Sequence, residues 1–375
     1  MEKSKRPWAL LGCSHDERRP EIVIKQLHPV PSTVSGSENI IKIDFTNSQN
    51  QRKLKTNQII EIITVPNPDG RKNQKNVAIT INAKLIHSIL SKKYSKVSIT
   101  EISTLECLTK LAKRKPDLVF SGVKYFEFEE NQIWLNDFLE LNHIRYIGSN
   151  HAALDREHHK GFAKSIVKQA GILTADYVII NTNKVSVDNN MNIPYPVFVK
   201  PVRGGDSIGI DDLSLVFDRK QLDAKVDQIC NVLNCDALVE SYLTGREFSV
   251  GILEDERTNL LTAMPIEIIA PKNERGHRVL DHEIKRLDQE TVRKVKNKTL
   301  HKKLSEVGKS AFKALGGRSF GRIDIRLCAK GLPHFVEANL MPGLSKGYFY
   351  RSCALNLNMT YDDMILLLCS NRLNS

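Results

Sequence analysis

The segment between positions 320 and 343 constrains the fold most, because two runs of alternating polar and apolar residues are separated by Lys330-Gly331. A period of two predicts β-strands, and the Lys-Gly pair is a plausible turn between them. The polar side chains then share one face of an antiparallel hairpin: Arg322, Asp324, Glu337 and Asn339. The apolar side chains take the other: Ile323, Ile325, Leu327, Val336, Ala338 and Leu340.

The polar face of this hairpin predicts a metal site. Asp324, Glu337 and Asn339 supply oxygen ligands of the kind that Mg²⁺ prefers, and the ion completes its shell with water and phosphate oxygens. Arg322 beside them would stabilise a developing negative charge. The alternative is a solvated face of an antiparallel sheet, since such sheets often leave one side wet.

Composition limits the class of protein. A chain of 375 residues is long enough for two or three domains. No apolar run approaches the roughly 20 residues of a membrane span, and the first residues lack the apolar core of a signal peptide. Seven scattered cysteines without a Cys-x-x-Cys pair favour neither a disulfide framework nor a zinc site. We therefore expect a cytoplasmic protein with no membrane partner.

The net charge of +12 raises the question of a nucleic-acid partner. Much of this charge lies between residues 285 and 303, where acidic residues are interspersed. The segment has no interleaved aromatic residues for base stacking, and no nucleic-acid-binding module is recognisable. A solvated surface is the favoured interpretation, and no nucleic-acid partner is expected.

The order of predicted elements divides the chain. Short strands are predicted within residues 1–75, at 21–25, 40–45 and 59–65. A strand and helix alternation follows over residues 76–158, with strands at 77–81, 117–120 and 143–149 and helical periodicity at 105–111 and 134–141, which predicts a small parallel α/β layer. A helix over 160–170 and a strand over 176–180 come next.

Two later segments carry charged residues at strand ends. The strand 196–200 ends on Lys200 and opens into a glycine-rich turn, where backbone N–H groups can approach phosphate oxygens. It matches neither the P-loop nor the Rossmann pattern, so an ordinary turn is the alternative. Two further strands are joined by Thr244-Gly245, which Glu240 and Glu247 flank. Carboxylates at these positions can accept hydrogen bonds from adenine or ribose. The alternative is a surface hairpin with two exposed acidic residues.

Taken in order, these motifs resemble the ATP-grasp superfamily, in particular its D-alanine–D-alanine ligase-like branch of carboxylate–amine ligases. The resemblance runs from about residue 77 to the C-terminus. It is carried by Val-Lys-Pro at Lys200, the Val-Glu-x-x-x-x-Gly-x-Glu segment at 239–247, Gly-Arg-Ile-Asp at 321–324 and Glu-Ala-Asn-x-x-Pro-Gly at 337–343. Members form an acyl phosphate from ATP and a carboxylate, which an amine then attacks. The resemblance therefore implies an ADP-producing ligase for small-molecule carboxylate and amine substrates.

The resemblance also implies an α/β (α+β) fold of three lobes, with ATP between two antiparallel sheets. The lobes would span residues 76–158, 159–240 with a glycine-rich lid, and 241–375 with the metal site, after a β-rich extension over 1–75 of unknown role. A homodimer is compatible with the resemblance, because members commonly dimerise.

Residue roles follow from the same resemblance. The nucleotide would be held by Lys160, Lys200, the lid residues Gly204, Gly205, Asp206 and Ser207, the adenine-reading Glu240 and backbone of Leu243, and the ribose-binding Glu247. Lys285 would reach the transferring phosphate. Asp324, Glu337 and Asn339 would bind two Mg²⁺ ions, with Mn²⁺ as an alternative. Arg322 and the N–H of Gly343 would stabilise the tetrahedral intermediate, and Ser207 would close over the phosphates.

Departures from the family pattern fall mainly on the amino-acid-binding side. The family's Gly-Gly-x-Ser-x-Glu turn has become Asn82-Ala-Lys, and its Pro-Gly-x-Thr-x-x-Ser segment, which gathers a substrate carboxylate, ends here on Tyr348. Arg286 replaces a common tyrosine. We therefore expect an acceptor other than D-alanine. The alternatives are a D-alanine–D-alanine ligase with an unusual acceptor site and a catalytically silent ATP-binding sensor.

Overall fold

The computed structural model describes residues 55–66, 81–128, 131–182, 191–205 and 207–375. Every element described below belongs to one compact unit, Lys53–Ser375. The strands predicted at 21–25 and 40–45 lie outside the described residues, as does nearly all of the one at 77–81. Asp206 of the predicted lid is also outside them.

The first layer is a parallel three-stranded sheet. Its elements are β1 (Thr56–Thr64), α1 (Ala83–Leu90), β2 (Tyr94–Glu101), α2 (Leu105–Arg114) and β3 (Leu118–Ser121). The strand order β2-β1-β3 confirms the predicted α/β layer, but its central strand β1 was assigned to the extension over 1–75. Ile60, Ile62 and Ile63 are buried on both faces, as a central parallel strand requires.

The segment that follows differs from prediction. It contains β4 (Tyr125–Phe128), β5 (Asn131–Trp134), α3 (Leu135–Leu141) and α4 (His151–His158). β4 and β5 form an antiparallel hairpin that was not predicted, whereas α3 confirms the helical periodicity. The strand predicted at 143–149 is wrong: only Tyr146 makes a bridge, to Val119. Left-handed backbone at His143 (φ 55°) and Gly148 (φ 106°) ends any extended run at both sides.

A four-stranded antiparallel sheet forms the next layer, in the order β6-β9-β7-β8. Its elements are α5 (Lys160–Gln169), β6 (Tyr177–Ile180), β7 (Val197–Pro201), β8 (Leu215–Val216), α6 (Arg219–Asp227) and β9 (Ala237–Ser241). Val199 and Val239 of the sheet pack with Leu222 and Val226 of α6 in a hydrophobic core separate from the others. A layer with its own core can move as a body.

A five-stranded antiparallel sheet completes the fold, in the order β12-β11-β10-β13-β14. Its elements are β10 (Glu247–Asp255), β11 (Leu260–Ile269), α7 (His282–Arg286), β12 (Thr291–Lys294), α8 (Lys298–Ala314), β13 (Phe320–Leu327), β14 (Pro333–Asn339), α9 (Tyr348–Leu357) and α10 (Tyr361–Leu373). The predicted hairpin is confirmed as β13 and β14, with Gly331 (φ 73°) in the turn.

Helices cover this sheet unequally. On one face α8 lies so close that a Cβ on Gly308 would be 2.8 Å from Val250. On the other face α9 covers only one end, where a Cβ on Gly251 would be 2.7 Å from Ser352. The remainder of that face borders a cleft.

The segment around Thr244-Gly245 connects the two antiparallel sheets. β9 belongs to the four-stranded sheet and β10 to the five-stranded sheet, so the alternative of a surface hairpin is wrong. A Cβ on Gly245 would lie 2.5 Å from the carbonyl oxygen of Leu327, which explains why a glycine is needed where this connection crosses β13. In the described part of the chain no helix has the length and apolarity to span a bilayer.

Candidate active site

A cleft lies between the two antiparallel sheets, with a cavity volume of about 80 Å³. β7 and β9 form one wall, and β10, β13 and β14 form the other. The cleft confirms the predicted arrangement of two sheets around a central site. Eight of the predicted site residues line it: Lys200, Ser207, Glu240, Leu243, Glu247, Lys285, Asp324 and Glu337.

A buried carboxylate between two lysines forms the wall on the four-stranded sheet. Glu240 forms ion pairs with both lysines: Lys164 Nζ lies 2.7 Å from Oε2, and Lys200 Nζ lies 2.7 Å from Oε1. Burial alone would raise the pKa of Glu240, but the two ammonium groups hold it at about 2. Burial likewise opposes the charge on Lys200, yet Glu240 and Glu337 keep its pKa above the usual value.

Lys164 was missed by the sequence analysis. Its side chain is fully buried, and Nζ also donates to Thr174 Oγ1 at 2.8 Å. Burial lowers its pKa, against the attraction of Glu240. A signal was present, because Lys164 is four residues after Lys160 on α5 and therefore shares its helix face.

The glycine-rich loop lies against Lys160. Lys160 Nζ donates to the carbonyl of Gly204 at 2.8 Å, and burial lowers the pKa of this lysine. Gly204 has φ 100°, and a Cβ added to it or to Gly205 would meet no atom within 4 Å. Ser207 is buried, with φ 58°, and its hydroxyl donates to the carbonyl of Leu280 at 3.2 Å. The loop therefore contacts the segment that precedes α7.

The predicted ribose-binding residue has a cationic neighbour that was not predicted. Glu247 lies directly opposite Arg326 in the β10–β13 register, and Arg326 Nη1 is 3.4 Å from Glu247 Oε2. Arg326 also donates to the hydroxyl of Tyr242 at 3.0 Å. Burial raises the pKa of Glu247, against the attraction of Arg326. The strand period places Arg326 on the face of Asp324, which was the available signal.

The predicted metal residues lie side by side on the hairpin. Asp324 is opposite Glu337, and Arg322 is opposite Asn339. The prediction for Val336 is wrong: it lines the cleft rather than facing away. The register shifts between Asp324 and Ile325, and this irregularity leaves Val336 without a partner, so its direction no longer follows strict alternation.

The donor set fits a hard cation. Burial would raise the pKa of Glu337, but Lys160, Lys200 and Lys285 hold it below its usual value, so the carboxylate is charged. The buried Nδ2 of Asn339 has no hydrogen-bond partner, and acceptor oxygens such as those of a phosphate would satisfy it. Within the described ranges no group of three or more His, Cys, Asp or Glu side chains is arranged around a metal position. A metal here would therefore rest on two carboxylates, the Asn339 amide and substrate oxygens.

Asp324 is already engaged within the protein. Arg322 donates to both of its oxygens at 3.0 Å, and Ser249 Oγ donates to Oδ1 at 2.7 Å. Lys285 on α7 lines the same cleft. A Cβ added to Gly343 would meet no atom within 4 Å, which leaves space beside its backbone.

Comparison with known proteins agrees with this geometry. The family model described as "D-ala D-ala ligase C-terminus" matches residues 166–370, more than half of the chain. The D-alanine–D-alanine ligase of Aquifex aeolicus is 28% identical over 304 residues, which cover 80% of this chain and 97% of that protein.

Solved structures show the same fold. The D-alanine–D-alanine ligase of Bacillus anthracis complexed with ATP aligns with a TM-score of 0.63 at 17% identity, covering 84% of this chain and 98% of that one. VanG D-Ala:D-Ser ligase from Enterococcus faecalis aligns with a TM-score of 0.62 at 18% identity, covering 84% and 100%. The family match over residues 166–370, together with the cleft between two antiparallel sheets, shows that this chain belongs to the ATP-grasp, D-alanine–D-alanine ligase-like family.

Proposed function

We propose that this chain is an ATP-dependent ligase that joins a small-molecule carboxylate, of an amino acid or a related compound, to an amine. The observation that carries the proposal is the charge arrangement of the cleft. Lys160, Lys200 and Lys285 act electrostatically on Glu337, which faces Asp324 across the hairpin. Phosphoryl transfer requires this kind of charge neutralisation and positioning from a protein.

The reaction proceeds in two steps. First, a carboxylate oxygen attacks the γ-phosphorus of ATP; the bond to the bridging oxygen breaks, and ADP leaves with that electron pair. Lys160, Lys200 and the loop at Gly204–Gly209 hold the phosphates, and Lys285 neutralises charge on the transferring group. Mg²⁺ held by Asp324, Glu337 and Asn339, as two ions, would screen the phosphate charge.

In the second step, the amine attacks the acyl carbon, and phosphate leaves as the amine loses a proton. The negative charge on the acyl oxygen is stabilised by Arg322 and the N–H of Gly343. Leu243 and Glu240 bind the adenine end and Glu247 the ribose. Closure of the loop that carries Ser207 excludes water from the acyl phosphate. These roles are consistent with the positions of the side chains in or beside one cleft.

A second candidate is D-alanine–D-alanine ligation, the activity named for the Aquifex relative. Tyr348 argues against it. The tyrosine stands where the family has a serine that gathers a substrate carboxylate, and its hydroxyl donates to Glu290 Oε1 at 2.7 Å. With that hydroxyl engaged, the acceptor pocket lacks one contact for an amino-acid carboxylate. An acceptor other than D-alanine is therefore preferred.

The test is ADP release from Mg-ATP with pooled D- and L-amino acids, comparing the wild type with Glu337→Ala. Substrate-dependent ADP that disappears in the variant supports a ligase, and deconvolution of the pools identifies the substrate. A separate assay uses D-alanine as the only amino acid. Full activity in that assay would support D-alanine–D-alanine ligation. Tight ATP binding without stimulation by any pool would leave two alternatives, a substrate that is not an amino acid and a catalytically silent ATP sensor. Glu306→Ala, on the exposed side of α8, is the matched control.

We propose that the enzyme acts in the cytoplasm, where ATP is available.

A further inference from the structure

Arg322 is held from two sides. One support is Asp324, whose carboxylate accepts from Nε and Nη2 at 3.0 Å each. The other is the aromatic ring of Tyr348, whose centroid lies 5.3 Å from Arg322 Cζ. A guanidinium over a tyrosine face is attracted by the quadrupole of the ring, whose face is electron-rich.

Tyr348 is itself fixed. It is the first residue of α9, and its hydroxyl donates to Glu290 Oε1 at 2.7 Å. Glu290 is buried, and Arg351 Nη1 approaches the same oxygen at 3.8 Å. Contacts within the protein therefore hold the ring from its hydroxyl end.

The two residues that hold Arg322, Asp324 and Tyr348, differ in their other interactions. Under the proposed function Asp324 also binds a metal ion, so its oxygens are shared between the ion and the guanidinium. Tyr348 lines the cleft but is not among the proposed metal ligands, and its hydroxyl is bound to Glu290. When Asp324 turns toward a cation, the ring remains as the contact that keeps Arg322 in place.

We propose that Tyr348, supported by Glu290, is the positioning residue that holds Arg322 in the orientation needed to stabilise the negative charge of the intermediate. The catalytic consequence rests on the proposed ligase function; the placement of Arg322 does not. Tyr348 acts through Arg322 and is a positioning residue, because no reacting atom is assigned to it. A misplacement of about 1 Å at such a group can lower a rate by a hundredfold.

The placement is measured first, without substrate. Protein labelled with ¹⁵N-arginine gives an Nε–H resonance for Arg322, assigned by its loss in Arg322→Lys. We expect Tyr348→Leu to move this resonance and speed its exchange with solvent, because the ring no longer shields the guanidinium. Tyr348→Phe keeps the ring and should leave it close to wild type. Tyr350→Leu is the matched control, since Tyr350 lies on the same helix and packs against Tyr361 instead.

Turnover is measured next, with the substrate found by pool screening. We expect Tyr348→Leu to lower kcat by about tenfold or more while the KM for ATP is unchanged, and Tyr348→Phe and Glu290→Gln to have smaller effects. An unchanged Arg322 resonance in Tyr348→Leu, or an equal change in Tyr350→Leu, overturns the proposal. So does a shifted resonance with unchanged kcat. If the resonance behaves as expected but the wild type shows no substrate-dependent ADP, the placement stands and the ligase function fails.

Discussion

Asp324 lies directly opposite Glu337 on the neighbouring strand, and the two carboxylates have different partners. Asp324 accepts hydrogen bonds from Arg322 and Ser249, whereas Glu337 lies in the field of three lysines and Arg322. In this facing pair, Asp324 is held by hydrogen bonds from protein donors, and Glu337 is kept charged by nearby cations. Such a pair can approach a cation from two sides without a further carboxylate.

Asp324→Asn is expected to raise the Mg²⁺ concentration needed for half-maximal ADP release. Losing even an outer partner of a metal ligand typically lowers affinity about 10- to 100-fold, so removing the charge of a ligand should cost at least about tenfold. A Mg²⁺ titration of ADP release measures this. Asp255→Asn, at the far end of β10, is the control and should titrate like the wild type. Equal titration curves for wild type and Asp324→Asn would contradict the metal assignment.

Glu240→Gln is expected to destabilise the protein. The substitution leaves Lys164 and Lys200 buried without their counter-charge, and breaking a buried ion pair costs about 3–5 kcal/mol. Urea unfolding at pH 7 measures the change in the free energy of unfolding. Asp362→Asn removes the carboxylate of an exposed pair with Lys92 and should cost far less.

The contribution of Glu240 should fall in acid. The pKa of Glu240 is about 2 in the folded protein, against an ordinary value of 4.5. Between pH 2 and pH 4.5 the unfolded state therefore binds more protons than the folded state. The stabilisation is complete above about pH 4.5 and decreases as the pH falls toward 2. At pH 3.5 the gap in unfolding free energy between wild type and Glu240→Gln should therefore be smaller than at pH 7, by on the order of 1 kcal/mol. A gap independent of pH would refute the assigned pKa.

The elements that the sequence predicts best are those with one apolar and one polar face. Strand alternation around Asp324 predicted the hairpin and the polar face that Asp324 shares with Glu337, and the structure adds that the two lie directly opposite each other. The same rule failed at Val336, since an extra residue in one strand is a backbone irregularity without a side-chain pattern. β1 confirms the strand predicted at 59–65, but the assignment of that strand to the extension was wrong, because a strand buried on both faces carries no pattern that shows which sheet it joins.

The partners of charged residues were harder to predict from the sequence. Glu240 was identified by its motif, but Lys164 is 76 positions earlier, and no local pattern encodes their contact. Likewise Tyr348 appeared only as a departure from a family segment, and its contact with Arg322 depends on how α9 covers the sheet. Such relationships are set by packing between layers rather than by periodicity.

Lys285→Ala is expected to lower kcat by about a hundredfold, the typical effect of removing one group that stabilises transition-state charge. Stability should change little, because Lys285 is only half-buried on the short, exposed helix α7. Lys303→Ala is the matched control, because Lys303 is an exposed lysine on α8 and has no assigned role in the cleft. Steady-state ADP release and thermal unfolding are measured together. If both variants lost activity equally, a specific role for Lys285 would be excluded.

Gly209→Ala tests the glycine-rich loop. Gly209 has φ 78°, and an added Cβ would lie 2.7 Å from Pro201 Cγ and 2.8 Å from Leu233 Cδ1, so the loop must shift. Gly171 has the same φ of 78° but no atom within 4 Å of an added Cβ, so Gly171→Ala isolates the backbone strain, which is about 1–2 kcal/mol. We expect a similar loss of stability from strain in both variants, with a further loss in Gly209→Ala. Only Gly209→Ala should raise the KM for ATP, because only its loop lies beside the proposed phosphate site. An equal KM for ATP in the two variants would show that the loop does not contact the nucleotide.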